Sequence, residues 1–315
     1  MDDALSSLLH DVRPQGALFD RSAINPPWAL RFAEGTPLAL LAMVSGSAWV
    51  TPDGAAPVRL GRGDVALLTG TEPYTVGDEP GTPPCAVVHG DGSCTTPDGR
   101  LMLSQLSMCG FGPPREDSSG VLLKSTFQVS GSVSQRVLSA LPRIALIPAG
   151  PDGCPALDMI SAEIAKDAPG QQGVLDRLLD LLLVMSLREW FERPEARPPG
   201  WYLAHADPVV GRALRLMHGD PAHAWTVASL AVGAGASRAR FARRFSELMG
   251  QSPMAYLTDW RICLASDLLA QTDATVDAIS RRVGYANAYA LSVAFKRITG
   301  VRPGEHRTLA RAEGR

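Results

Sequence analysis

The densest run of residues with chemical capability lies near the C-terminus. Arg238, Arg240, Arg243 and Arg244 follow directly on Ser237, and Arg281, Arg282, Lys296 and Arg297 surround Asn287. A guanidinium carries N–H donors in a rigid fork that fits phosphate oxygens and the O6/N7 edge of guanine. A basic cluster is more often a solvated helix face, so its placement decides its meaning. The net charge of −2 conceals an asymmetry: from Asp207 to the C-terminus there are 15 Lys+Arg and 9 Asp+Glu, net +6, and the preceding part is net −8. An acidic front and a basic back suggest that only the back meets a polyanion. Arginine supplies 27 of the 30 basic residues, a bias that a GC-rich genome would also produce.

Cysteine and histidine form the other chemical group. Cys85, His89, Cys94 and Cys109 lie close together in sequence. On one strand Cys85 and His89 would be ~13 Å apart, too far for one zinc ion. His89 and Cys94 across the Gly90-Asp91-Gly92-Ser93 turn are easier to join, but no C-x-x-C pattern is present. No metal and no cofactor are expected. Cys85, Cys94 and Cys109 are candidates for a redox switch, or Cys85 and Cys109 are small core residues in strands. Cys154, in a Pro-Asp-Gly-Cys-Pro loop, is expected to be exposed, and Cys263 to lie in a helical core. His10, His205, His218, His223 and His306 show no metal or catalytic arrangement and read as solvated surface. Without a metal triad or a nucleophile–base pair, an enzyme is not expected.

The elements that must position these residues fall into two domains. A chain of 315 residues with 45% apolar and 20% charged residues has length and composition for two cores. No apolar run approaches the ~20 residues that span a bilayer, and the start, MDDALSSLLHDVRPQG, is acidic where a secretory signal is basic. A soluble, cytoplasmic protein without membrane contact is expected. Five cysteines, odd in number and widely spaced, do not form a disulfide framework. Residues 17–125 alternate turn signals with short apolar runs (Leu38–Val44, Ser47–Val50, Asp64–Thr69, Cys85–His89, Leu101–Cys109), the pattern of antiparallel strands in a sandwich or barrel. Val133–Ile147 reads as helical, cut at Pro142. Val174–Phe191 places Leu175, Leu178, Leu179, Leu182, Leu183, Leu187 and Trp190 on one stripe, which either covers its own sheet or pairs two subunits. The run from Arg193 to Gly200, rich in proline, reads as a linker. The expected organisation is an acidic, strand-rich domain over 1–192 with its helical segment at 133–192, a linker over 193–205, and a basic helical domain over 206–315.

The last third contains an internal repeat. Thr226, Val227, Leu230 and Gly235 recur as Thr275, Val276, Ile279 and Gly284 at an offset of 49; Phe241, Phe245, Gly250 and Pro253 recur as Leu291, Phe295, Gly300 and Pro303 at an offset of 50. Each copy reads as a Thr-capped short helix, a Gly turn, and a second helix capped by Ser237 or Asn287. The second helices are anchored inward by Phe241, Phe245 and Leu248, or by Leu291, Phe295 and Ile298. That order is the helix-turn-helix plan, spanning 226–249 and 275–299, and its second helix enters the major groove. Pro253–Gln271 reads as one long helix with Met254, Leu257, Trp260, Leu264, Leu268 and Leu269 inward. As a rigid spacer it would hold two recognition helices about one DNA turn, roughly 34 Å, apart.

These residues, from W-T-V-A-S-L-A through S-R-A-R-F-A-R-R-F-S-E-L-M-G-Q-S-P-M-A-Y-L to A-I-S-R-R-V-G-Y and F-K-R-I-T-G-V-R-P, resemble the AraC/XylS family of bacterial transcription regulators over Val209–Arg307. The front half resembles, through weaker marks such as Gly61-Arg62-Gly63-Asp64 and Pro73-Tyr74, the cupin-type sensor of one branch of that family. The resemblance implies a cupin-like jelly-roll barrel with a helical dimerisation segment, followed by an all-α domain of seven helices whose third and sixth enter adjacent major grooves. By position, base contacts come from Ala239, Ala242 and Arg243 in the first motif and from Ala288, Tyr289, Ser292 and Val293 in the second. Ser237, Arg238, Arg240, Arg244, Asn287, Lys296 and Arg297 complete the DNA-contact set. The family often carries Arg where Val293 stands, so base reading is expected to concentrate in the first motif, through Arg243.

Where that cupin branch carries histidines, this chain has Leu38-Ala39-Leu40-Leu41 and Pro73-Tyr74, so no barrel metal is expected. A small-molecule site would be walled by Trp28, Phe32, Trp49 and Tyr74, with Arg31 or Arg59 for an anionic group, although barrel aromatics are more often plain core. The function expected is a transcription regulator gated at the cupin domain by a small molecule or an oxidant, acting on double-stranded DNA as a homodimer, with RNA polymerase as a partner if it activates. The alternatives are a cupin enzyme with a DNA-binding tail and a constitutive regulator whose barrel only dimerises.

Overall fold

The computed structural model describes residues 12–19, 23–24, 26–90, 93–102, 111–112, 120–129, 132–151, 153–164, 166 and 168–313. Two compact units divide the chain. One contains Val12–Val129 and Leu141–Ala196; the other contains Ser130–Ala140 and Arg197–Arg315.

The first unit is built on two sheets. The larger joins β1 (Val12–Phe19), β2 (Ala23–Ile24), β4 (Leu38–Gly46), β7 (Val65–Thr69), β11 (Phe111–Gly112), β12 (Gly120–Val129) and β13 (Ile144–Ile147). The smaller joins β3 (Ala29–Phe32), β5 (Ala48–Pro52), β6 (Val58–Leu60), β8 (Tyr74–Gly77), β9 (Ala86–Val88) and β10 (Cys94–Thr95) in the order β10-β9-β3-β8-β5-β6. Strand pairing is antiparallel except between β3 and β9. The expected closed barrel is therefore a two-sheet sandwich: among the described residues no ladder joins one sheet to the other.

Burial explains the strand sequences. Ala39, Leu41 and Met43 of β4 enter the core between the sheets with Trp28, Leu30, Phe32, Val50, Tyr74 and Val76. Leu38, Leu40 and Ala42 are equally buried on the opposite face, which is why β4 reads as an unbroken apolar run. Helices α2 (Pro155–Ile164) and α3 (Gln171–Glu192) cover that face, α2 against β4 and α3 against β13 and β1. The leucine-rich stripe of α3, including Leu175, Leu179, Leu183 and Leu187, is buried in this unit; of the two readings open in the sequence, it covers its own sheet. By contrast β5 buries only alternate residues, so its sheet presents one face outward.

Two segments differ from expectation. Ile144–Ile147, read as part of a helix, is strand β13, paired antiparallel with Val65–Leu68. Pro142 stops helical structure before it, and the apolar run completes the sheet edge. Residues 132–138 do form a helix, α1 (Ser132–Leu138), which groups with the helical unit and packs on its long helix through an element that buries Ser134 and Val137.

The helical unit continues with α4 (Gly200–His205), α5 (Val210–Gly219), α6 (Val227–Gly233), α7 (Arg238–Met249), α8 (Pro253–Gln271), α9 (Val276–Arg282), α10 (Ala288–Thr299) and α11 (Pro303–Glu313). Residues 200–205, expected in the linker, are helical as α4 and pack on α5 and α7, with Ala204 buried in the core. Two larger apolar clusters fill the unit, beside a small one of Trp260 and Cys263. Leu214, Met217, Leu230, Phe241, Phe245, Tyr256 and Leu257 form one; Ile262, Leu269, Ile279, Leu291 and Phe295 form the other. Helix α8 contributes to both, so one rigid element carries two small lobes.

Candidate nucleic-acid interface

Each lobe holds a helix, a turn and a helix, set by the same local contacts. Thr226 Oγ1 accepts from Ser229 N at 3.0 Å and Ser229 Oγ accepts from Thr226 N at 2.9 Å, a reciprocal cap on α6. At the equivalent place Thr275 Oγ1 accepts from Ala278 N at 3.1 Å. The short helices end alike: Ala236 N donates to Ala231 O at 3.0 Å, and Tyr285 N to Ser280 O at 2.8 Å. Between them Gly235 and Gly284 take φ of 71° and 82°, the left-handed conformation that closes a helix end. Gly284 has a second constraint, since a Cβ there would lie 2.8 Å from Arg261 Nη2 and 2.9 Å from Ala222 Cα. Ser237 then caps α7 by accepting from Arg240 N at 3.4 Å, and Asn287 caps α10 by accepting from Ala290 N at 2.9 Å.

The caps orient two helices whose inner faces are aromatic and whose outer faces are basic. Phe241 and Phe245 are fully buried beneath α7, and Leu291 and Phe295 beneath α10. Ile298, expected inward, is exposed, because the last turn of α10 leaves the lobe core. Outward on α7 stand Arg238, Ala239, Arg240 and Arg243, with Ala242 half-buried. Arg243 lies 3.8 Å from Glu247, an exposed pair of little energetic consequence. Outward on α10 are Tyr289 at 79% and Val293 at 54% exposure, with Lys296 and Arg297 in its last turns. Ala288 and Ser292 are half-buried, and Ser292 Oγ donates to Ala288 O at 2.7 Å, so its hydroxyl proton is already engaged.

Arg244 has a different setting from its neighbours. Its Nε donates to Asp207 Oδ2 at 2.9 Å, while Asp207 Oδ1 accepts from the amides of Val209 and Val210 at 3.0 and 2.9 Å. Burial acts to raise the Asp207 pKa, but those two amides and the guanidinium outweigh it and hold the carboxyl below the ordinary aspartate range. Arg261 of α8, not singled out in the sequence, similarly donates to Pro221 O and His223 O, each at 2.7 Å. His218 and His306 are also not solvated surface. His218 is half-buried, stacked on Trp260 at 4.1 Å and 2.8 Å from Tyr256 Oη; His306 sits edge-on to Phe295. His205 and His223 are exposed, and His10 lies outside the described residues.

The four candidate ligand walls of the sandwich do not meet in one pocket. Trp28, 1% exposed, and Tyr74, stacked on Phe32 at 4.7 Å, belong to the packed interior. Burial raises the Tyr74 pKa above the ordinary phenol range. The cavity lined by Tyr74, Thr36, Leu68 and Arg143 measures about 10 Å³, room for one water. Arg31 and Trp49 occupy the opposite face of the smaller sheet, since their strand neighbours point inward. Arg31 makes a bidentate pair with Asp53, both bonds 2.6 Å. Arg59 and Arg62 line a separate, open depression of about 440 Å³ with Ser47 and Asp64.

Of the redox candidates, Cys85 and Cys94 are half-buried against the sandwich core, neither in a disulfide. Cys94 pairs across the ladder with Val88, three residues from Cys85, which at ~3.3 Å per residue exceeds the ~7 Å Cα limit for a disulfide. Cys109 lies outside the described residues. Cys154 is half-buried and Cys263 buried. His89 Nε2 is 2.9 Å from Thr95 Oγ1, and among the described residues no group of three or more His, Cys, Asp or Glu is placed to hold a metal ion. A functional group the sequence analysis missed is Lys124, whose Nζ lies 4.3 Å from the centroid of the Phe32 ring. A lone lysine in an apolar strand is the sequence signal that could have found it.

Among the described residues no helix is long and apolar enough to cross a membrane. The Cupin family model matches residues 3–192, and the Helix-turn-helix domain model matches residues 230–308. An AraC-like transcription regulator of Streptomyces lividans is 32% identical over 97% of this chain and 98% of its own length. A similarly named protein of Streptomyces antibioticus matches with the same identity and coverage. Among solved structures, the DNA-binding domain of AdpA in complex with a target DNA is 31% identical, covering 34% of this chain and 96% of that one, with a TM-score of 0.33. The chain belongs to the AraC-like family of DNA-binding transcription regulators, with a cupin domain in front of its helix-turn-helix domain.

Proposed function

We propose that α7 and α10 enter successive major grooves of double-stranded DNA, with α8 as the rigid spacer between them. The observation that carries this reading is the repeated cap–glycine–cap geometry, which turns exposed basic side chains outward on both second helices. Arg243 is the residue that reads guanine; Arg238, Arg240, Lys296 and Arg297 hold phosphates. Tyr289 and Val293 offer an apolar surface to thymine methyl groups, so the second motif contributes mainly contact and shape. Ser237 and Asn287 act as caps that also place the helix N-termini against the backbone.

Two copies of the chain pair through the outward face of α3, where Val174, Leu181 and Met185 remain exposed beside Met159 of α2. The cupin domain carries the signal in the cytoplasm, as a small molecule or an oxidant acting at Cys85, Cys94 or Cys109. RNA polymerase is the further partner if the protein activates. The signal must favour one arrangement of the dimer, because equal affinity for both shifts no population.

Random-sequence selection by the purified full chain, with and without dithiothreitol and peroxide, tests the reading. An enriched motif with two half-sites supports it, and a change of affinity on oxidation identifies a redox input. Recovery of no motif under either condition contradicts it.

A further inference from the structure

Two arginines stand at equivalent places in the repeat. Arg212 of α5 and Arg261 of α8 are 49 residues apart, the offset that also relates Gly235 to Gly284. Each lies against the turn of its own lobe: Arg212 Nη1 is 3.7 Å from the Cβ position of Gly235, and Arg261 Nη2 is 2.8 Å from that of Gly284. Their partners differ. Arg212 is exposed, with no acceptor among the described residues. Arg261 is half-buried and reaches back into the first lobe, where Nε donates to Pro221 O and Nη2 to His223 O, both at 2.7 Å. The loop it holds is itself braced. Asp220 Oδ1 accepts from His223 N at 3.1 Å, Asp220 O accepts from Trp225 Nε1 at 2.8 Å, and Trp225 packs on the first lobe's core. Ala222, in the middle of that loop, rests on the second turn: a Cβ on Gly284 would lie 2.9 Å from its Cα and its carbonyl oxygen.

The apolar packing of each lobe along α8 is non-directional, so it leaves the roll of one lobe against the other weakly defined. Two bonds from one planar guanidinium, with backbone resting on backbone at Gly284, define an angle. We propose that Arg261 is a positioning residue for DNA recognition: it locks the 220–225 loop of the first lobe against the turn of the second, and so sets the phase and separation at which α7 and α10 meet their grooves. The inference rests on the reading that both helices enter DNA. Arg307 provides the contrast. Its Nε and Nη2 donate to Leu269 O and Ala274 O on the equivalent loop, 49 residues on, but that loop and α11 belong to the second lobe alone. The same kind of clamp therefore braces one lobe at Arg307 and joins two lobes at Arg261.

Full-length parent, Arg261→Met and Arg307→Met are compared by fluorescence anisotropy on three DNAs: a selected operator, the same operator with one base pair inserted between the half-sites, and the first half-site alone. One base pair moves a half-site by ~3.4 Å and turns it by roughly 35°. The parent is expected to lose at least ~5-fold affinity on the lengthened site. Arg261→Met keeps the side-chain stem and removes the donors. It is expected to bind the first half-site as the parent does, while its preference for the correct spacing falls at least ~3-fold. Arg307→Met is expected to keep the parental preference even where its melting temperature is lower. Should Arg261→Met melt below the assay temperature, Arg261→Lys carries the test, because one ammonium does not reproduce the planar fork that spans both carbonyls. A folded Arg261 variant with the parental spacing preference overturns the proposal, as does an equal relaxation in Arg307→Met. A parent indifferent to the insertion overturns the two-groove reading, and the proposal with it.

Discussion

Arg244 and Asp207 form an ion pair at 2.9 Å that ties α7 to the N-terminus of α5. Two adjacent arginines of one basic helix thereby have different work: Arg243 faces outward, and Arg244 supports the helix that carries it.

Arg244→Ala is expected to lower stability by about 1 kcal/mol, a charge-assisted bond discounted for its half-exposed arginine. Its effect on the selected DNA motif is expected to be small. Arg243→Ala should leave the melting temperature unchanged and cost ~1–3 kcal/mol at one base pair of the first half-site. Urea unfolding and a base-by-base operator scan separate the two. Because the Asp207 carboxyl is held below its ordinary value, the Arg244 contribution is present above about pH 4 and is lost as pH falls through the lowered folded-state value.

Gly284→Ala is expected to destabilise more than Gly235→Ala. Both need a left-handed residue, worth ~1–2 kcal/mol, but only Gly284 also has backbone and Arg261 within 3 Å of the missing Cβ; at Gly235 the nearest atom is 3.7 Å away. Chemical denaturation of the two variants gives the comparison, and equal losses would contradict the close packing of Ala222 and Arg261 on the second turn.

Trp28→Ala should cost ~3–5 kcal/mol as a cavity in the sandwich core, with Trp49→Ala well below that because its ring is only half-buried. If Trp28 instead lined a ligand site, its replacement would abolish an effector response without a large fall in melting temperature.

If two copies pair through α3 as proposed, Leu181→Glu with Met185→Glu is expected to leave only monomer in light scattering, because both lie on the exposed side of that helix. Leu183→Glu should unfold the sandwich unit, since that residue is fully buried.

The helix-turn-helix repeat was legible because its determinants are local: a capping hydroxyl, a left-handed glycine and an aromatic pair at fixed offsets. The Thr226 and Thr275 caps and the Gly235 and Gly284 turns fall where the spacing puts them. The two-sheet arrangement was legible as strand runs but not as a layer order, which depends on long-range ladders such as β12 with β4. Ile144–Ile147 misled because an apolar run of four fits either a buried helix or a strand; only its pairing with β7 decides. The ligand walls failed for a similar reason. Trp49 lies in β5 and Trp28 directly precedes β3, and the two side chains fall on opposite faces of one sheet. Arg244 and Lys124 depend on partners 37 residues away or on the facing sheet, which no spacing rule encodes.

The claim that one chain reads two adjacent grooves through a rigid α8 is tested most directly by spacing. On a selected operator, the affinity of the full-length protein is measured before and after inserting about half a helical turn, roughly 5 base pairs, between the half-sites. The account predicts at least a ~10-fold loss, because α10 can no longer face its groove while α7 stays in place. Unchanged affinity on the lengthened site would contradict it.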